Sequence, residues 1–81
     1  MRDLLRFLNM LYEQKIYHRL SKARDDAIMV EISVPGQRWE VEFMRDGSIE
    51  IEKFLTTGEV VACKDLNHCK VIEQFFKEFS E

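Results

Sequence analysis

The feature that most constrains this chain is an alternation of apolar and polar residues between positions 27 and 52. Every second residue is apolar in three successive runs: Ile28, Val30, Ile32 and Val34; Trp39, Val41 and Phe43; Ile49 and Ile51. A period of two is typical of β-strands whose two faces meet different surroundings. Pro35-Gly36 and Asp46-Gly47 separate the runs and suit tight turns. The pattern predicts an antiparallel meander with one buried face.

Helical patterns flank these strands. Residues 2–14 carry an apolar stripe at helical spacing, made of Leu4, Leu8 and Leu11, with Leu5 and Tyr12 predicted to widen it. Asp65 is the predicted N-cap of a second helix, whose apolar face consists of Leu66, Cys69, Ile72, Phe75, Phe76 and Phe79. Residues 16–23 alternate weakly, as an edge strand does, and residues 59–62 fit either a short strand or a lead-in to the helix.

These elements predict a single α+β domain over residues 1–81. The order is α-β-β-β-β-α, with a four-stranded antiparallel meander and two helices packed on one of its faces. No apolar run reaches the roughly 18 residues of a membrane span, and the N-terminus lacks the apolar stretch of a secretory signal. We therefore expect a cytoplasmic protein that does not bind membranes.

The turn at Asp46-Gly47 determines how the strands on either side of it pair. A two-residue loop would bring Phe43 opposite Glu50 and place one of them on the wrong face. A three-residue loop with Gly47 in the left-handed conformation avoids this conflict. The pairs that follow are Phe43 with Ile49 on the inner face, and Glu42 with Glu50 and Glu40 with Glu52 on the outer face.

The same reasoning predicts the remaining rows of the outer face. Apolar residues stay inside with two further pairings, Val34 with Trp39 and Leu20 with Val30. Two outer rows result: Arg19, Glu31, Glu42 and Glu50, and beside it Tyr17, Ser33, Glu40 and Glu52. Five glutamates would thus crowd one face nearly without cations. Like charges directly opposite one another would cost the sheet about 1–3 kcal/mol in all.

This acidic face has several interpretations. It can solubilise an exposed surface, or it can dock a basic protein, since complementary charge speeds encounter. Five carboxylates can also bind Ca²⁺ weakly, although no EF-hand loop is present, and glycoside hydrolysis would need a pocket that a flat face lacks. In a docking surface, Tyr17, Arg19 and Met29 would supply the aromatic, arginine and methionine anchors that interfaces favour.

The net charge of −3 and the two cysteines narrow the functional classes further. An acidic balance disfavours nucleic-acid binding, which needs a basic footprint. Cys63, His68 and Cys69 do not have a usual zinc spacing and lack a fourth ligand, and a Cys–His nucleophile would also need an orienting group and an oxyanion site. We therefore assign no metal, cofactor or catalytic residue, and expect Cys69 to be buried. We expect no disulfide in a reducing compartment.

Residues 28–43 (IMVEISVPGQRWEVEF) and 46–52 (DGSIEIE) resemble a small, largely uncharacterised bacterial α+β family. The size and the acidic sheet pattern are also similar to those of immunity proteins of bacterial polymorphic-toxin systems. The resemblance includes no catalytic motif. It implies a cytoplasmic inhibitor whose acidic face blocks a basic toxin, often a nuclease.

Three functional hypotheses follow, in this order. The first is a non-enzymatic protein-interaction module, such as an immunity-type inhibitor, that contacts a basic partner through Glu31, Glu40, Glu42, Glu50 and Glu52. The second is a self-associating structural or regulatory protein that forms a homodimer through Phe76, Phe79 and an edge strand. The third is a small enzyme or metal protein with its site near Cys63 and His68.

Overall fold

Five antiparallel strands form one sheet in the computed structural model, which describes residues 2–54 and 59–79. The strands follow chain order: β1 (His18–Arg24), β2 (Ala27–Val34), β3 (Gln37–Met44), β4 (Ile49–Phe54) and β5 (Glu59–Cys63). Helices α1 (Arg2–Glu13) and α2 (Lys70–Phe79) cover one face of this sheet. The α+β class and the antiparallel sheet are confirmed, but the prediction of four strands is wrong. A fifth strand forms because β5 pairs along β4, with Val61 opposite Ile51.

Helix α1 packs through a narrower stripe than the sequence predicts. Leu4, Phe7 and Leu11 are buried, whereas Leu5 and Tyr12 are 62% and 79% exposed. The prediction that these two residues widen the buried stripe is therefore wrong. At about 100° per residue, both project from one flank of the helix rather than toward the sheet.

Helix α2 begins later than the sequence predicts because a 3-10 turn, Leu66–His68, precedes it. Asp65 caps this turn, where its Oδ1 atom accepts a hydrogen bond from the His68 N–H at 3.0 Å. The backbone is then extended at Cys69 (φ −119°, ψ 93°). The α-helix therefore starts only at Lys70.

Aromatic side chains join both helices to the sheet. Phe75 of α2 packs edge-on against Trp39 of β3, with ring centroids 4.9 Å apart. Phe7 of α1 contacts Phe43 of β3 at 5.4 Å and Phe76 of α2 at 5.7 Å. Phe76, which the homodimer hypothesis placed at an interface, is thus engaged between the two helices and packs against the core.

The register between β3 and β4 is as predicted, and Gly47 has the expected positive φ of 94°. The register between β2 and β3 differs from the prediction by two residues. Pro35-Gly36 forms a two-residue turn, so Ile32 rather than Val34 lies opposite Trp39. A shift of two residues preserves the face on which each side chain lies. The alternation is therefore equally compatible with both registers.

Candidate protein-interaction surface

The sheet face away from the helices carries all five glutamates noted in the sequence. Three directly opposed pairs result: Glu31 with Glu40, Glu40 with Glu52, and Glu42 with Glu50. The predicted pairing of Glu31 with Glu42 is wrong, because the two-residue turn places Met29 opposite Glu42 instead. Arg19 lies opposite Glu31, as predicted. We call this surface the outer face.

Three arginines compensate three of these glutamates, so the prediction of a face nearly without cations is wrong. The ion pairs are Arg19 Nη2 to Glu31 Oε1 at 3.0 Å, Arg24 Nε to Glu42 Oε2 at 3.1 Å, and Arg38 Nη2 to Glu40 Oε2 at 2.6 Å. Arg38 and Glu40 are two residues apart on one strand, a spacing that puts both on one face. Arg24 follows a register shift in β1 and could not be placed from the alternation.

Glu42 is nearly buried and is paired with an arginine of the chain. Its side chain is only 8% exposed, and Arg24 is the cation beside it. A buried carboxylate is costly unless it is paired and hydrogen-bonded. The Glu42 carboxylate is therefore committed to Arg24 and offers little surface for contact with another protein.

Glu31 is also engaged, although its ion pair is solvated. The hydrogen bond from Arg19, followed by that from the Ser21 hydroxyl, lowers the pKa of Glu31 from its ordinary value. The same bond raises the pKa of Arg19. Because 68% of the Arg19 side chain remains exposed, water and salt screen this pair.

Glu50 and Glu52 on β4 differ from the other three glutamates. In the part of the chain that the structure describes, no lysine, arginine or histidine nitrogen lies within 4.0 Å of either carboxylate. On β5 their cross-strand neighbours are Ala62 and Val60, both exposed. A shallow concavity of about 400 Å³ has Glu50, Glu52, Met29 and Val60 in its wall, together with Glu40, Glu42 and the Arg24 that pairs with Glu42. The β4 side of the outer face thus presents two open carboxylates beside small apolar side chains.

The structure separates the three predicted interface anchors. Met29 lies in the wall of the same concavity as Glu50 and Glu52. Arg19 is occupied by its ion pair on β1. Tyr17 is 67% exposed but precedes β1, outside this concavity. Of the three predicted anchors, Met29 alone shares this concavity with Glu50 and Glu52.

Sequence reasoning missed the contribution of β5 to this surface. Val60 and Val61 are β-branched and favour a strand, which was the available signal. A run of four apolar residues that ends at Cys63 shows no alternation, however, so it does not reveal which side chains share a face with Glu50 and Glu52. The pairing with β4 supplies that information.

Cys63 and Cys69 form a disulfide with an S–S distance of 2.06 Å, contrary to the expectation of free thiols. The chain reverses between β5 and the 3-10 turn and brings the two Cα atoms to 5.3 Å, within bonding range. Cys69 is buried, as predicted. His68 instead contacts Asp65 at 2.7 Å and lowers the pKa of that carboxyl. Within residues 2–54 and 59–79, no cluster of three His, Cys, Asp or Glu side chains is arranged to hold a metal ion.

No helix in the described ranges is both long and apolar enough to cross a membrane. Comparisons with protein-family models, with curated proteins and with solved structures find no match to this chain. What the outer face can bind is therefore inferred from its own charges and shape.

Proposed function

We propose that this protein is a non-enzymatic interaction module that binds a basic region of a partner protein through the β4 side of its outer face. The contrast among the five glutamates carries this proposal. Glu31, Glu40 and Glu42 each contact an arginine of the chain, whereas the described residues supply no such cation to Glu50 and Glu52.

A partner that brings lysine or arginine to this surface would relieve an existing repulsion. Glu52 lies directly opposite Glu40, and Glu50 directly opposite Glu42. Like charges in such positions destabilise a sheet, so a cation that arrives from outside improves both the complex and the strand pairing. Complementary charge also speeds encounter and disfavours acidic competitors. Met29 and Val60 would add apolar contact area beside the charges.

A matched pair of charge reversals tests the proposal. Glu50→Lys/Glu52→Lys changes the charge at the site, and Asp25→Lys/Asp26→Lys makes the same change at the exposed β1–β2 turn. The measurement is a pull-down from the native host at low and high salt. We expect a basic protein that wild type and the Asp25/Asp26 variant retain at low salt and release at high salt, and that the Glu50/Glu52 variant fails to retain. Equal retention by both variants would contradict the proposal.

The identity of the partner is a further part of this proposal. The resemblance to immunity proteins favours a basic toxin, such as a nuclease, as the partner, with this protein as its cytoplasmic inhibitor. Disulfides persist mainly in oxidising compartments, so the redox state of Cys63 and Cys69 bears on that location. Rapid alkylation of thiols in intact cells, followed by mass spectrometry, would show reduced cysteines if the protein is cytoplasmic.

Self-association is a second candidate function, because α1 and β1 expose large apolar side chains. Leu5 and Tyr12 of α1 are 62% and 79% exposed. Leu20 of β1 is 54% exposed on the helix-covered face. If Leu20 mediates a homodimer, sedimentation velocity will show a concentration-dependent mass that Leu20→Lys abolishes and high salt does not.

A further inference from the structure

Strand β5 is an edge of the sheet with unused backbone hydrogen-bonding groups. The Met44 N–H donates to Ser48 O at 2.9 Å, and bonded and non-bonded pairs alternate along an antiparallel ladder. Every second residue of β4, counted from Ser48, therefore bonds to β3, and the residues between them, including Ile51, bond to β5. Ile51 thus exchanges hydrogen bonds with Val61, the residue opposite it. The N–H and C=O groups of the residues that flank Val61, namely Val60 and Ala62, therefore point away from the sheet. Among the described residues, no hydrogen bond joins β5 to any element except β4.

After Glu59, the β5 edge has no lysine, proline or bulge of the kind that usually blocks strand addition. Residues 60–63 include no charged residue and no proline, and their pairing with β4 contains no register shift. Proteins commonly blunt exposed edges with lysine, proline or a bulge, because an open edge templates the addition of another strand. This edge is therefore chemically suited to accept an extended segment.

The two sides of the β5 edge differ in what they offer to an added strand. On the inner side, a groove of about 220 Å³ lies between the sheet and α2. Val61, Val71 and Phe75 form the part of its wall that suits apolar side chains, and Lys53, Gln74 and Glu78 also line it. On the outer side, only the short side chains of Val60 and Ala62 lie between the edge and the carboxylates of Glu50 and Glu52.

The negative charges of Glu50 and Glu52 favour an added strand that carries basic side chains. Neighbouring strands lie about 4.8 Å apart, so the long stem of a lysine or arginine on an added strand can extend over β5 to a carboxylate on β4. A second copy of the chain, paired through its own β5, would bring Val60 and Ala62 to these positions. With Val60 of one copy opposite Ala62 of the other, the paired strands supply no cation, and Glu50 and Glu52 stay uncompensated.

We infer that β5 is a docking edge for an extended segment of a partner protein, which adds as a sixth strand with lysine or arginine on its outer side and apolar residues on its inner side. The cationic half of this inference rests on the proposed function, whereas the backbone pairing at Val60 and Ala62 does not. The β5 edge thus offers main-chain hydrogen bonds, a partly apolar groove and two carboxylates to one added segment.

The test titrates ¹⁵N-labelled protein with an acetylated, amidated heptapeptide of alternating lysine and valine. Ala62→Pro removes an outward N–H without removing a bond to β4, and an edge strand tolerates proline there. Ala62→Thr keeps this N–H, and Leu20→Pro makes the proline change on the opposite edge. We expect Ala62→Pro to weaken peptide binding about tenfold, the effect of losing one or two backbone hydrogen bonds. The Ala62→Thr and Leu20→Pro variants should bind as wild type does.

Amide exchange in the wild-type complex gives a second measurement that does not depend on the variants. We expect the peptide to slow exchange at Val60 and Ala62 and to leave Leu20 unchanged. Binding that depends on Glu50 and Glu52 but leaves Val60 and Ala62 unprotected would overturn the strand addition and leave the proposed function intact. Equal protection by a glutamate-valine peptide would overturn the cationic specificity and the proposed function together. Protection that rises with protein concentration alone would assign the edge to a second copy and overturn the inference.

Discussion

The two edges of the sheet are built differently. Strand β1 carries Arg19, Lys22 and Arg24, and its pairing with β2 shifts register between Ser21 and Arg24. Strand β5 has no charge after Glu59 and pairs with β4 without interruption. Charged side chains and bulges discourage the addition of further strands. The β1 edge is therefore protected by its own sequence, while the β5 edge is not.

The same asymmetry extends across the outer face. Near β1, glutamates are matched by arginines, as in the pair of Arg19 with Glu31. On β5, the residues opposite Glu50 and Glu52 are the uncharged Ala62 and Val60. The comparison teaches that the open edge and the open carboxylates occur together, which favours binding at this side of the molecule.

Removal of the disulfide has the largest expected effect on stability and tests whether this bond keeps β5 paired with the sheet. It links the end of β5 to the start of α2, whereas no disulfide holds β1. We expect Cys63→Ala/Cys69→Ala to lower the free energy of unfolding by about 2 kcal/mol, because the unfolded chain regains the entropy of a short closed loop. Urea unfolding of both proteins measures this change.

Amide exchange gives the corresponding comparison of the edges. The Val61 and Arg19 amides both face inward, toward β4 and β2 respectively. Loss of the disulfide should speed exchange more at Val61 than at Arg19. Equal acceleration at both amides would show that the disulfide stabilises the whole sheet and has no special role at β5.

Single glutamate replacements test the charge contrast. Glu52→Thr removes a carboxylate opposite Glu40 and should raise the free energy of unfolding by about 0.2–1 kcal/mol, because it relieves a like-charge pair. Glu31→Thr should give no such gain, since it also removes the ion pair with Arg19. Urea unfolding at low and high salt makes the measurement, and salt should shrink the Glu52→Thr effect. A similar gain from Glu31→Thr would remove the distinction between the two regions.

The pH dependence at Glu31 is the smallest expected effect. Its folded-state pKa is lowered, first by the hydrogen bond from Arg19, so its stabilising contribution is full above the ordinary glutamate pKa and is lost as pH falls through the folded value. Carboxyl-detected NMR titration should show that Arg19→Gln raises the pKa of Glu31. An unchanged pKa in this variant would mean that Ser21 and Arg38 stabilise the carboxylate without Arg19.

Much of the fold was predictable because local chemistry determines it. The alternation assigns a face to each residue of β2, β3 and β4, and Gly47 identifies the three-residue turn that places Glu52 opposite Glu40. The sequence indicates a turn at Pro35-Gly36 but does not determine its length, because loops of two and four residues leave the side chains of both strands on the same faces. Because of the error in loop length, the predicted cross-strand partner of Glu31 is Glu42 rather than Glu40, and the ion pair of Arg38 with Glu40 is not predicted.

The candidate site was only half predictable for a related reason. A sequence shows that glutamates share a face, but which of them are compensated depends on distances between strands. Arg24 reaches Glu42 only after a register shift in β1. Glu50 and Glu52 are distinguished from the rest only once β5 is known to lie beside them.

By itself, the sequence determined the class of the domain, the two faces of the sheet and the concentration of glutamate on one of them. These properties follow from the period of two and from turn chemistry, which act over a few residues. The tertiary structure decided which of the described carboxylates lack an ion-pair partner, that Cys63 bonds to Cys69 and that β5 is an edge strand of the sheet. Those properties depend on contacts between residues that are distant in the chain or that belong to different elements, and no local pattern specifies such contacts.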